Sequence, residues 1–154
     1  MRYNPFVATT PGEEAWAALA EIFMSDENHS RFHAACEAVD VGPPALKLLL
    51  GMEPGIGTPM RALADKLRCD ASWVTSLVDD LEEHGYVERR IVPTDRRVRT
   101  IVITRGGIAA QNKAKRVLHK APPSMNALTV AEQRQLRELM RKLLAASQAE
   151  EAVG

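Results

Sequence analysis

Apolar positions recur at helical spacing along most of this chain and give way to an alternating, β-branched pattern only once. Trp16, Leu19, Ala20 and Phe23 lie on one face of a helix that Thr10-Pro11-Gly12-Glu13 opens. There Thr can cap, Pro suits the first turn, and Glu three residues on completes a capping box. Phe32, Ala35, Cys36 and Val39 resume the spacing after the polar stretch Ser25 to Asn28, which predicts one long helix or two pieces with an irregularity between them. Gly42-Pro43-Pro44 closes that region, because a residue before proline is pushed out of helical geometry. A short apolar helix is expected from about Pro44 to Met52, and Thr58-Pro59 is read as opening another, with Met60, Leu63, Ala64 and Leu67 on one face. After the turn Arg68-Cys69-Asp70, Asp70 can cap a further helix whose stripe is Val74, Leu77, Val78 and Leu81, and Gly85 supplies a left-handed stop.

From Tyr86 the pattern changes. Tyr86 to Val92 and Val98 to Thr104 are branched or aromatic runs around the turn-like Pro93-Thr94-Asp95-Arg96-Arg97, a hairpin with a basic tip. Helix returns from about Gly107 to Lys120, breaks at Pro122-Pro123, and restarts with a second capping box at Thr129 and Glu132. Its stripe of Leu136, Leu139, Met140, Leu143 and Leu144 is strongly amphipathic, with little chain left to fold upon. The first nine residues have no periodic pattern. The fold class expected is therefore mainly α with a small β-hairpin wing: a winged helix-turn-helix framed by N- and C-terminal helices.

Composition bounds this picture. The 154 residues, 45% hydrophobic and 26% charged, suit one soluble globular domain, and no apolar run approaches the roughly 20 residues that cross a bilayer. A cytoplasmic protein without a membrane partner is expected. Two widely separated cysteines, Cys36 and Cys69, make neither a disulfide framework nor a zinc motif, and are read as small core residues. Net charge is zero, which looks unfavourable for binding a polyanion, but its distribution is uneven. Residues 1–40 carry two basic against seven acidic groups, a net of −5, whereas residues 87–105 carry six arginines against two acids, a net of +4.

Two short helices, a tight turn and a basic hairpin in that order place specific side chains where duplex DNA could meet them. Ser72, Trp73, Thr75 and Ser76, with Ala71, lie off the apolar stripe of their helix and are expected to face outward. The hydroxyls can bond to bases or phosphates, and the indole suits thymine methyls or the sugar edge. Arg96 and Arg97, posed by Asp95, suit a narrow minor groove.

At these residues the sequence resembles the MarR family of bacterial regulators. The motifs that carry the resemblance are Ser72 to Thr75 leading to Leu77-Val78-Asp79, Leu81 through Arg89, Asp95-Arg96-Arg97, and Ile103 to Gly107. It implies a homodimer joined through the first and last helices (residues 1–42 and 107–154) and a DNA-binding lobe at 43–106. Recognition helices would enter successive major grooves of double-stranded DNA and wing arginines the flanking minor grooves. For many members it also implies release from DNA by a small aromatic or other ligand, or by an oxidant. Family members often carry arginine where this chain has Ser76 and Asp80, so phosphate affinity is expected to lean on the wing and on Lys66 and Arg68.

Other chemistry is thinner. Trp16, Phe23, Phe32 and Leu49 could line an effector pocket or serve as plain core. His29, His33, Cys36 and Glu37 could hold a transition metal, or Cys36 could be an oxidisable thiol; a polar helix face beside a buried cysteine is the stronger reading, and neither metal nor cofactor is expected. Lys113, Lys115, Arg116, His119 and Lys120 read equally as backbone contacts or as a solvated face. No glycine-rich phosphate loop, serine elbow or HExxH motif supports an enzyme. A protein-interaction module built on the winged fold, and a redox- or metal-responsive regulator using Cys36 and its histidine neighbours, stay open as alternatives.

Overall fold

A computed structural model describes residues 10–92 and 95–151, with the side chains of residues 92, 95–98 and 151 outside that description. Thr10 caps α1 (Pro11–Phe23) with both halves of the capping box made: its hydroxyl accepts from the Glu13 N–H, and Glu13 accepts from the Thr10 N–H. The chain then breaks. Ser25 is extended, donates to the Ile22 carbonyl and accepts from the Asn28 N–H, so it ends one helix and caps the next, α2 (Asp26–Val39). The two-piece reading is the one realised.

Asp40 stops α2 in the left-handed region, and α3 follows at Pro43–Leu50 with Gly42 as its N-cap. Thr58-Pro59 corrects an expectation: it is a strand, β1, and not a helix start. It pairs antiparallel with the second wing strand, Thr58 opposite Ile101 and Pro59 opposite Thr100. Only then does α4 (Met60–Leu67) begin, ending where Arg68 turns left-handed. Asp70 caps α5 (Ala71–Glu83), and Gly85 at φ 70° makes the stop expected of it. The wing is β2 (Val87–Val92) and β3 (Asp95–Ile103), so the sheet has three strands in the order β1-β3-β2.

Thr104 then caps α6 (Arg105–Leu118), its hydroxyl accepting from the Gly107 N–H and donating to the Gly85 carbonyl. This first turn of α6 runs so close to the end of the α5 stop that a Cβ on Gly107 would sit 2.0 Å from the Tyr86 carbonyl oxygen, which leaves glycine as the residue that fits. A 3₁₀ turn at Pro123–Ala127 and α7 (Val130–Glu151) complete the chain.

One domain was expected, but the chain forms two compact units, Met1–His119 and Lys120–Gly154. In the first, α2 packs on α6, and α3 and α4 pack on α5. Leu46, Leu49, Val74, Val78, Leu81, Val87 and Ile101 are fully enclosed at the centre. Among the described residues one polar side chain joins this core: buried Gln111 on α6 donates to the carbonyls of Leu49 and Met52, satisfying acceptors left at the end of α3. In the second unit the Thr129–Glu132 capping box is formed.

Candidate nucleic-acid interface

The stripe of α5 decides what its other face can do. Val74, Leu77, Val78 and Leu81 are all buried, which rotates Ala71, Ser72, Trp73, Thr75 and Ser76 to the surface at the N-terminal half of the helix. Trp73 is 43% exposed, a large indole standing in solvent early in a helix. Asp70 organises the start: its carboxylate accepts from the Trp73 N–H at 2.9 Å and from the Ser72 hydroxyl at 2.6 Å. Those two bonds, the Ser72 hydroxyl first, hold the Asp70 carboxyl below the usual carboxylate range. Thr75 donates to the Ala71 carbonyl at 2.8 Å and Ser76 to that of Ser72 at 3.3 Å.

The basic segment is less available than its charge count implied. Arg89 on β2 reaches back to α5, where its guanidinium contacts both Asp79 and Glu82 and its backbone N–H donates to Glu82. Burial works against that charge, but the two carboxylates prevail and raise the Arg89 pKa. Arg89 thus fixes the wing to α5. Arg90 pairs with Glu88 along its own strand. Asp95, Arg96 and Arg97 belong by backbone to β3, and their side chains lie outside the described residues. Lys66 is exposed and donates to the Gly51 carbonyl at 3.1 Å; Arg68 is exposed just past the end of α4, as is Arg61 within it, a cation that sequence reading passed over.

The far end of α5 is tied to α2. His84 donates from Nδ1 to the Asp80 carbonyl at 2.8 Å and holds Nε2 3.8 Å from the Asp40 carboxylate, with its ring against Tyr86. Tyr86 in turn donates to the Val39 carbonyl at 3.0 Å. The bond to Asp80, aided by the carboxylates of Asp80, Asp40 and Glu83 and opposed by burial, raises the His84 pKa.

A helix with a polar, hydroxyl-rich outer face, followed at once by a two-stranded wing, is the arrangement that known proteins can be compared with. A profile of the MarR family matches residues 50–98, which span α4, α5 and β2. The HTH-type transcriptional regulator BilQ of Clostridium symbiosum (strain WAL-14163) is 26% identical over 133 residues, covering 85% of this chain and 91% of that one. The chain has a winged-helix fold and resembles the MarR family over residues 50–98. Solved structures agree on the fold. A transcriptional regulator from Thermotoga maritima has a TM-score of 0.71 at 20% identity, covering 92% of this chain and 97% of its own. The S. aureus MepR–DNA complex has a TM-score of 0.57 at 18% identity, covering 83% and 98%.

The residues suggested for an effector pocket stand in different surroundings, Phe32 being half-buried against the core. Leu49 is fully enclosed in the core and lines nothing open to solvent, while Trp16 and Phe23 stand about 70% exposed on α1. An open cleft of about 360 Å³ lies elsewhere, between α2 and α5, and is lined by His33, Cys36, Glu37, Asp40 and Asp80 together with the Val41–Pro43 connection. No group of three metal-ligating side chains is assembled among the described residues, so His29, His33, Cys36 and Glu37 do not form a metal site there. Cys36 is buried, and desolvation raises its pKa, which disfavours the reactive thiolate. Cys69 is half-buried and its pKa is raised as well, by desolvation and then by Asp70. No helix among the described residues is long and apolar enough to cross a membrane.

Proposed function

We propose that this protein is a sequence-specific, DNA-binding transcriptional regulator that represses as a homodimer in the cytoplasm. MarR-family members are transcriptional regulators and not enzymes. The observation that carries the proposal is the outer face of α5: Ser72, Trp73, Thr75 and Ser76 are solvent-facing at the N-terminal half of a helix whose opposite side is locked into the core. In this reading α5 enters the major groove, Arg96 and Arg97 with Asp95 reach the flanking minor groove, and Lys66, Arg68 and Arg61 meet phosphates.

A dimer suits the terminal helices. No residue of α1 is buried, Trp16, Ile22 and Phe23 being exposed there and Met24 just after it, and α7 exposes Leu139, Met140, Leu143 and Leu144. Residues 1–42 and 107–154 would then supply the dimerisation region and residues 43–106 the DNA-binding lobe. Two recognition helices about 34 Å apart would require an inverted repeat spanning roughly two turns of duplex. A small effector belongs to the same proposal: bound in the cleft beside Asp80, it would touch α2 and α5 at once and bias the spacing of the lobes.

Footprinting on the DNA around its own gene tests this. The expected result is protection with dyad symmetry; protection without it overturns the dimeric reading. Arg97→Ala should weaken binding and flatten the dependence of log K on log salt by about 0.9, the share of one lost counterion-releasing cation. An unchanged slope would reassign Arg97 to a structural role.

A further inference from the structure

The hydrogen bonds on α5 say which bases it can read. The Ser72 hydroxyl gives its proton to Asp70, that of Thr75 to the Ala71 carbonyl and that of Ser76 to the Ser72 carbonyl. A hydroxyl has a single proton to donate but keeps lone pairs. With the protons engaged inside the helix, the three oxygens present acceptors outward. Between them stand two apolar groups, the Ala71 methyl and the Trp73 indole, both exposed. The helix contains no lysine or arginine; its remaining charges, Asp79, Asp80, Glu82 and Glu83, are all acidic. The side-chain donor left uncommitted on the N-terminal face is the indole N–H.

Duplex DNA answers such a face unevenly. In the major groove guanine presents two adjacent acceptors, N7 and O6, which are met by a two-pronged donor, most often arginine. This face has none to offer. Adenine N6 and cytosine N4 both present amino donors, but only the A·T pair sets beside its donor a C5 methyl, that of thymine. Acceptor oxygens fit the first, and an indole beside a methyl fits the second.

We propose that α5 reads A·T pairs: the hydroxyl oxygens of Ser72, Thr75 and Ser76 accept from adenine N6 amino groups, and Trp73 with Ala71 covers thymine methyls. The inference rests on the DNA-binding reading above and specifies its substrate, an operator half-site whose centre is A·T-rich. Cations outside α5 hold phosphates without altering this choice, because phosphate contacts carry no sequence information directly.

Selection of bound duplexes from random DNA, followed by single-atom changes in the selected site, is the test. Replacing thymine by deoxyuridine removes only the methyl, and replacing adenine by unsubstituted purine removes only the amino group. Half-sites with A·T centres are expected, and deoxyuridine at the step under Trp73 should weaken binding about fourfold, the value of one buried methyl-sized group. Trp73→Ala should bind thymine and deoxyuridine sites alike while melting like the parent protein, since its indole lies outside the core. Thr75→Val, which keeps the shape and removes the acceptor, should lose its sensitivity to the amino group at one adenine. A selected site with G·C centres that 7-deazaguanine disrupts, or full tolerance of deoxyuridine, overturns the inference and leaves DNA binding standing. Binding with no selected sequence overturns the DNA reading itself and the inference with it.

Discussion

Helices α5 and α7 carry the same kind of amphipathic stripe and meet opposite fates. Val74, Leu77, Val78 and Leu81 of α5 are all buried among α3, α4 and the strands. On α7, Leu136, Leu139, Met140 and Leu143 repeat that spacing, yet Leu139, Met140, Leu143 and the adjoining Leu144 remain 40% to 60% exposed. Burying a leucine is worth roughly 1.5–3 kcal/mol, so an apolar face of this length left in water is a large unspent driving force. Periodicity therefore tells that a face will seek burial, and says nothing of whether the partner belongs to the same chain. In α5 the partner is internal and the free face is left for a ligand; in α7 the apolar face itself is free.

This contrast can be broken most sharply at α7. Leu139→Glu combined with Leu143→Glu should abolish dimerisation, halving the mass seen by sedimentation, and should weaken binding to a two-half-site duplex by about a hundredfold or more as avidity is lost. The protomer's circular dichroism should persist. A dimer that survives both charges would mean the α7 stripe is not the interface. In α5 the corresponding change, Leu81→Ala, should act on the protomer instead, lowering unfolding stability by about 2–5 kcal/mol in denaturant titrations because a fully enclosed site leaves a cavity. Its oligomeric state should not change while it remains folded.

The smallest effect concerns the bond between the end of α5 and α2. The His84 pKa is raised in the folded chain above its ordinary 6.5, so the imidazolium contributes stability that is fully present below that value and lost as pH rises through the higher folded one. Its Asp40 partner is solvent-exposed, which limits the contribution to below about 1 kcal/mol. Melting temperature measured across this window should fall slightly with rising pH in the parent protein, and His84→Gln should remove that component. An identical pH profile in the variant would show that the clasp does not tie α5 to α2.

Much of the architecture was legible beforehand because its signals are short-range. Thr10 with Glu13, Asp70 and Gly85 act within four residues of themselves, and each does what its position in the pattern required. Thr58-Pro59 was misread for the converse reason. A threonine before a proline fits a helix start, and only a pairing with Thr100 and Ile101, some forty residues on, makes it a strand. The outward face of α5 followed from the phase of its stripe, but the bonds of its hydroxyls did not. Arg89 counted as free positive charge until the turn after α5 laid it against Asp79 and Glu82. Gln111 carried no signal at all, since a glutamine on an amphipathic helix usually faces water.

What the amino-acid order determined by itself was the succession of helices and the wing, the apolar side of each helix, and the bias of positive charge toward residues 87–105. These depend on backbone propensity, capping and the spacing of apolar groups, all of which act within a few residues. Tertiary structure alone decided the third strand, which arginine is engaged in an internal ion pair, which carbonyls Gln111 satisfies, and that Leu49 is enclosed while Trp16 and Phe23 stand exposed. Those outcomes depend on contacts between segments far apart in sequence, and such contacts exist only once the chain has closed its core.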